Sequence, residues 1–122
     1  MSIFATIYAM LDVSDVNAVV DDISPYVRGR GKDFPAVLYE VPTQTFERFS
    51  AGVYRTASEV QLSCLARSVV EAEAVAAVVL VQVVDNVCNT LDTITRDYEE
   101  GYDDDSVGLF SVTINFTNFN GG

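Results

Sequence analysis

The side chains able to do chemistry in this chain are few, and their spacing does not favour it. No histidine occurs in the 122 residues. The commonest general base and metal ligand is therefore missing, and Ser-His-Asp or Cys-His nucleophilic chemistry is excluded. The two cysteines, Cys64 and Cys88, have the spacing of neither a metal site nor a redox motif. Both read as small core hydrophobes of a protein kept in a reducing compartment. Asp21 and Asp22 are adjacent, and neighbouring carboxylates on an extended segment point to opposite faces, a poor geometry for an acid/base pair. Gly29-x-Gly31-Lys32 has the look of a phosphate loop, but a P-loop needs four residues between its glycines and a Ser or Thr after the lysine. Here Asp33 follows. The acidic run Glu99 to Asp105 suggests calcium, yet it lacks the alternating acids and closing glutamate of an EF-hand loop. Glu40, Glu59, Tyr39 and Tyr54 are the only polar groups in reach of a plausible pocket, and they have no base beside them. No catalytic, cofactor-binding or metal-binding residue is assigned, no cofactor is expected, and the chain reads as a non-enzyme.

The composition points the same way. Nearly half of the residues are apolar and 20% are charged, which is the balance of a globular domain. At this length one core and one domain, residues 1–122, are expected. With 18 acids against 7 bases the net charge is −11, so nucleic acid is repelled unless the bases gather on one face. Arg28, Arg30 and Lys32 do gather, in a glycine-containing loop. The N-terminus has neither a basic leader nor a long apolar run. The apolar stretch from Ala76 to Val84 is about half a membrane span and is bracketed by Glu71, Glu73 and Asp85. A soluble chain made in a cytoplasm is expected, with no membrane contact.

Local patterning supplies the elements. Ser2 can cap a first helix that carries Ile3, Phe4, Ile7 and Leu11 on one stripe. Ser14-Asp15 offers a second cap for a short turn through Val16, Val19 and Val20. A short strand near Asp21 to Ser24 is stopped by Pro25. Pro35 opens a strand through Val41, with Val37, Tyr39 and Val41 on one face and Ala36, Leu38 and Glu40 on the other. Both faces carry apolar residues, so a central strand is expected. Pro42 marks an edge or a bulge. From Thr43 to Gly52 a polar loop is expected, with Phe46 and Phe49 beside Glu47 and Arg48.

Val53 to Ala66 alternates Val60, Leu62 and Cys64 with Glu59, Gln61 and Ser63, the period of a strand with one apolar and one polar face. Ser68-Val-Val-Glu71 is a capping box that opens a helix with Val75, Val78, Val79 and Val83 buried. Because β-branched residues are poor helix formers, a strand from Val75 to Val84 is the competing reading. Asn89 to Tyr98 reads as a strand with Leu91 and Ile94 imperfectly phased, followed by the acidic tip. Leu109 to Phe119 is the cleanest strand, with Phe110, Val112, Ile114 and Phe116 inward and Asn120-Gly-Gly as a short tail. The expected fold is α+β: a mostly antiparallel four- to five-stranded sheet packed against two main helices.

In this order of elements the chain resembles the tail terminator, or tail completion, proteins of long-tailed bacteriophages. The resemblance rests on the opening helix, the Ile23-Ser-Pro25 stop, the basic glycine loop and the Pro35-Ala-Val-Leu-Tyr39 strand. It continues through Glu59-Val-Gln-Leu-Ser63, the Ser68-capped helix and the alternating last strand. The acidic Asp97 to Asp105 tip departs from it, being longer and more charged. What the resemblance implies is a structural virion protein. It would form a ring, usually of six subunits, on the finished tail tube, end tube polymerisation and offer the head connector a docking surface. The implied partners are further copies of the chain, the tail tube protein and the head–tail connector or stopper protein. DNA would pass through the lumen without specific binding. The implied location is the tail and neck of the virion, assembled in the host cytoplasm. The candidate ring or tube contacts are Arg28, Arg30 and Lys32, then Phe46, Arg48 and Phe49, then Asp103, Asp104 and Asp105. The alternatives are another neck or head-completion protein, a small ferredoxin-like ligand-binding or enzymatic domain, and a general interaction adaptor.

Overall fold

In the computed structural model, residues 3–25, 34–48, 54–102 and 108–121 are described. In chain order the elements are α1 (Ile3–Leu11), α2 (Ser14–Asn17), β1 (Asp22–Pro25), β2 (Ala36–Arg48), β3 (Tyr54–Ala66), α3 (Val69–Asp85), β4 (Asn89–Tyr102) and β5 (Gly108–Gly121). The five strands form one sheet in the order β1-β2-β3-β5-β4. Only the β1–β2 pair is parallel; the other three pairs are antiparallel. The α+β class expected from the sequence is the class observed.

Cross-strand register explains why the sheet has two unlike faces. Ile23, Val37, Cys64, Val112 and Arg96 stand in one row, and Pro25, Tyr39, Leu62, Ile114 and Ile94 in the next. These rows face the helices. With Ile7, Leu11 and Val16 from α1 and α2, and Val75, Val79 and Val83 from α3, they make the core. The opposite face carries Ser24, Leu38, Ser63, Thr113 and Thr95 in one row, and Glu40, Gln61, Asn115 and Thr93 in another. Ala36 and Leu38 are buried on that side, so β2 is covered on both faces at its start, as its two-sided pattern predicts.

Helix α3 forms despite its valines because packing holds it. Its N-cap Ser68 is extended (φ −143°, ψ 156°), and the Ser68 hydroxyl accepts the Glu71 N–H at 3.2 Å. That satisfies one of the orphan amides of the first turn. Ala72, Val75, Ala76, Val79 and Val83 bury one stripe. The competing strand from Val75 to Val84 does not form.

Several expectations need correction. Phe4 does not share the buried stripe of Ile7 and Leu11; it is 46% exposed. Ser14 does not cap α2: the N-cap is Val13, with no side-chain cap bond. Pro25 is the last residue of β1, where an edge strand tolerates its missing donor. The expected loop from Thr43 is strand as far as Arg48, since β2 runs on past Pro42 and pairs with β3 down to Arg48↔Tyr54. Pro42 does sit at a bulge, where the register shifts between Glu40 and Thr43. A second bulge between Leu91 and Thr93 accounts for the odd phase of β4, where Leu91 faces Phe116 and Ile94 faces Ile114. Asn120 and Gly121 are paired strand rather than tail. Cys88 is exposed, not core; only Cys64 is buried.

Candidate interaction surface

Of the candidate contacts, Phe46 and Arg48 are described; Arg28, Arg30, Lys32, Phe49, Asp103, Asp104 and Asp105 lie outside the described residues. Phe46 and Arg48 share one face of the distal half of β2. Beyond the Pro42 bulge this half leaves the core, and every residue from Pro42 to Phe46 is exposed. With the first half of β3 and the end of β5 it makes an arm of the sheet whose β2 edge is exposed while Ser58 and Asn118 behind it stay buried. The Glu47↔Arg55 cross-strand pair braces it: the Arg55 Nε donates to the Glu47 carboxylate at 2.9 Å. The Arg55 guanidinium also lies 4.6 Å from the centre of the Phe119 ring, a cation–π contact that ties β3 to β5. Gln44 donates to the Ser58 hydroxyl at 3.0 Å across the same ribbon.

Phe46 is 73% exposed. An aromatic ring held out on a braced ribbon is what an interface anchor needs before it binds. Next to it lies an open groove of about 370 Å³ lined by Ile3, Phe4, Gln44, Phe46, Thr56 and Asn120, with Ser58 at its floor. Phe4 belongs to a small aromatic cluster: its ring lies 6.3 Å from Tyr39, and the Tyr8 ring, one helical turn on, lies 6.5 Å from Tyr39. Burial, and then the neighbouring Tyr8, push the Tyr39 phenol above its usual pKa. Sequence reasoning placed Phe4 in the core and so missed that it joins Phe46. The 3.6-residue phase carried no warning, since Phe4 lies only about 20° around the helix from Leu11.

Behind the groove a chain of amides locks the arm to the helical layer. Asn118, a buried polar residue, donates its side-chain amide to the Asn89 side-chain Oδ1 at 2.7 Å. Asn89 donates in turn to the Val83 carbonyl near the end of α3, at 3.1 Å. Buried amides keep such bonds because an unpaired one is expensive.

The open sheet face is the second surface. Its strands present Ser, Thr, Asn and Gln, together with Asp22, Glu40, Glu59, Asp92 and Asp97. Thr117 donates to Asp92 at 2.8 Å and Asn115 to Thr93 at 3.0 Å. The base on this face within the described strands is Arg55, already engaged by Glu47. Among the described residues no cluster of His, Cys, Asp and Glu has the geometry to hold a metal ion, and no helix is long and apolar enough to cross a membrane. Glu40, Glu59 and Tyr39 do not converge: Glu40 and Glu59 lie on the open face and Tyr39 on the core side. No protein-family model matches the chain, and no curated protein matches it.

Proposed function

We propose that this protein is a structural subunit of a phage tail terminator, capping the tail tube as a ring and presenting the docking surface for the head connector. The carrying observation is the unlike pair of sheet faces: one sealed by helices, the other, beyond the covered start of β2, lined in the described strands by hydroxyls, amides and acids, with Arg55 there held by Glu47. Turned toward a lumen, such a wall repels the phosphate backbone and lets DNA pass. The braced arm with Phe46 supports the same reading, because a closed ring needs a patch on each subunit that fits a different patch on the next.

The test is electron microscopy of the purified chain, alone and mixed with tubes assembled from a phage tail tube protein. Sixfold rings, free or seated on tube ends, are the expected result. A chain that stays monomeric and never associates with tubes overturns the proposal.

A further inference from the structure

Helix α3 has a second apolar face that the fold leaves uncovered. Val70, Ala74, Ala77, Val81 and Val84 recur at spacings of 4, 3, 4 and 3 residues, and all are exposed. At 3.6 residues per turn they lie within an arc of about 80°, on the side of the helix opposite Ala72, Val75, Ala76, Val79 and Val83. Val70 is 81% exposed, Val81 49% and Val84 56%. A 4-3 alternation is the spacing of a coiled-coil seam, whereas the buried face follows the broader pattern of a helix on a sheet. Beside the seam, an open groove of about 370 Å³ runs between α2 and α3, lined by Asp15, Ala18, Ala77, Val78, Val81 and Gln82. The two central alanines leave holes between flanking valines, which larger knobs on a facing helix can fill.

Charge identifies the occupant. Glu71 and Asp85 flank the two ends of the seam and Asp15 flanks the groove. Residues 3–25 and 68–95, which supply all three helices, contain no lysine or arginine; of the bases that adjoin them, Arg96 on β4 is held by Glu73 of α3 and Arg67 lies against the Phe34 ring, which leaves Glu71, Asp85 and Asp15 as the acids around the seam. Two copies meeting through this face would therefore set acid against acid, with Glu71 of one near Asp85 of the other in an antiparallel pair. An anionic membrane is disfavoured for the same reason. We propose that the outer face of α3 docks an amphipathic helix from another protein. That helix carries Leu or Ile at its seam positions and Lys or Arg beside them. The seam runs about 21 Å, which matches about 15 residues of partner helix. The proposal stands whether or not the chain forms a ring.

The test uses the full chain and three labelled helical peptides, each four heptads long. One has leucine at the seam with lysine flanks, one leucine with glutamate flanks, and one serine with lysine flanks. Fluorescence anisotropy should show binding of the leucine–lysine peptide alone. Val81→Asp and Ala77→Lys should each weaken it by about tenfold or more, with circular dichroism and the urea midpoint confirming that each variant is folded. Val81→Asp makes the chain more acidic, so it would strengthen attraction that was electrostatic only. Equal binding of the serine–lysine peptide or of the leucine–glutamate peptide overturns the proposal. So does binding that both variants leave unchanged, or the absence of binding up to about 1 mM. Self-association or vesicle binding of the chain that Val81→Asp abolishes also overturns it, since another occupant would then cover the seam.

Discussion

Replacing Phe46 by serine separates an interface anchor from a core residue. Phe46 keeps 73% of its surface in contact with solvent. A phenylalanine has on the order of 200 Å² to bury, so about a quarter of that, roughly 50 Å², is covered within the subunit. At about 25 cal/mol per Å² its loss should cost on the order of 1 kcal/mol of stability. Phe116, which is 1% exposed in the middle of β5, should cost about 3–5 kcal/mol when truncated to alanine. The uncovered three-quarters of Phe46 is what a neighbour could bury. That is about 150 Å², worth about 4 kcal/mol, or several hundredfold in affinity. Urea denaturation of Phe46→Ser and Phe116→Ala measures the first pair of numbers, and end-capping of tail tubes titrated with each folded protein measures the last. If Phe46→Ser destabilises the fold as much as Phe116→Ala, the arm packs on its own core and the anchor reasoning fails. It fails equally if Phe46→Ser caps tubes at the same concentration as the parent.

Three further outcomes follow from the packing. Asn118→Ala removes the donor to Asn89 in a buried network and should cost about 1–3 kcal/mol, read as a lower urea midpoint. Ser68→Ala removes the side-chain cap of α3 and should cost about 1 kcal/mol, with thermal unfolding as the measure. Burial pushes the Cys64 thiol up to about 12, from an ordinary value of 9.0. The unfolded chain therefore loses that proton first. The stability tied to Cys64 is intact below about pH 9 and drains away as pH rises toward 12. Cys64→Ala should flatten that alkaline loss, and a thiol reagent near neutral pH should label the exposed Cys88 while sparing Cys64 until urea is added.

Much of the fold was legible because local chemistry and burial agree. The alternation through Val60, Leu62 and Cys64 and that through Val112, Ile114 and Phe116 each belong to strands with one covered face. The period of two then reports burial directly. Ser68 marks the start of α3 because the cap is a local interaction that needs no knowledge of the rest of the chain. The β4 pattern resisted reading because a bulge shifts its phase between Leu91 and Thr93. A one-residue insertion turns a clean period of two into a spacing of three, which looks like disorder in the pattern. The fate of Cys88 was hidden for a related reason. Its neighbours resemble those of a buried helix end, but the chain has already left α3 at Asn86.

The interaction surface was harder to see than the core, and the arm shows why. From Thr43 to Arg48 polar residues surround one phenylalanine, which locally is the composition of a loop. What makes it a strand is non-local: eleven paired positions between β2 and β3 that continue past the Pro42 bulge, and the end of β5 closing the other side of β3. Backbone pairing with a long neighbour can hold an exposed, polar segment extended without any help from its own hydrophobic pattern. Half of that neighbour, from Val60 to Ala66, is fastened down by the core. The other half is carried outward as an extension of the same strand. An aromatic on such an extension costs the fold little to keep exposed and arrives at a partner already ordered, so little entropy remains to be lost on binding. The same logic applies to the outer seam of α3: its inner stripe holds the helix, and its outer stripe is presented rigidly because of it. In both places the surface is ordered by residues that do not belong to it, which is why its reading needs the fold.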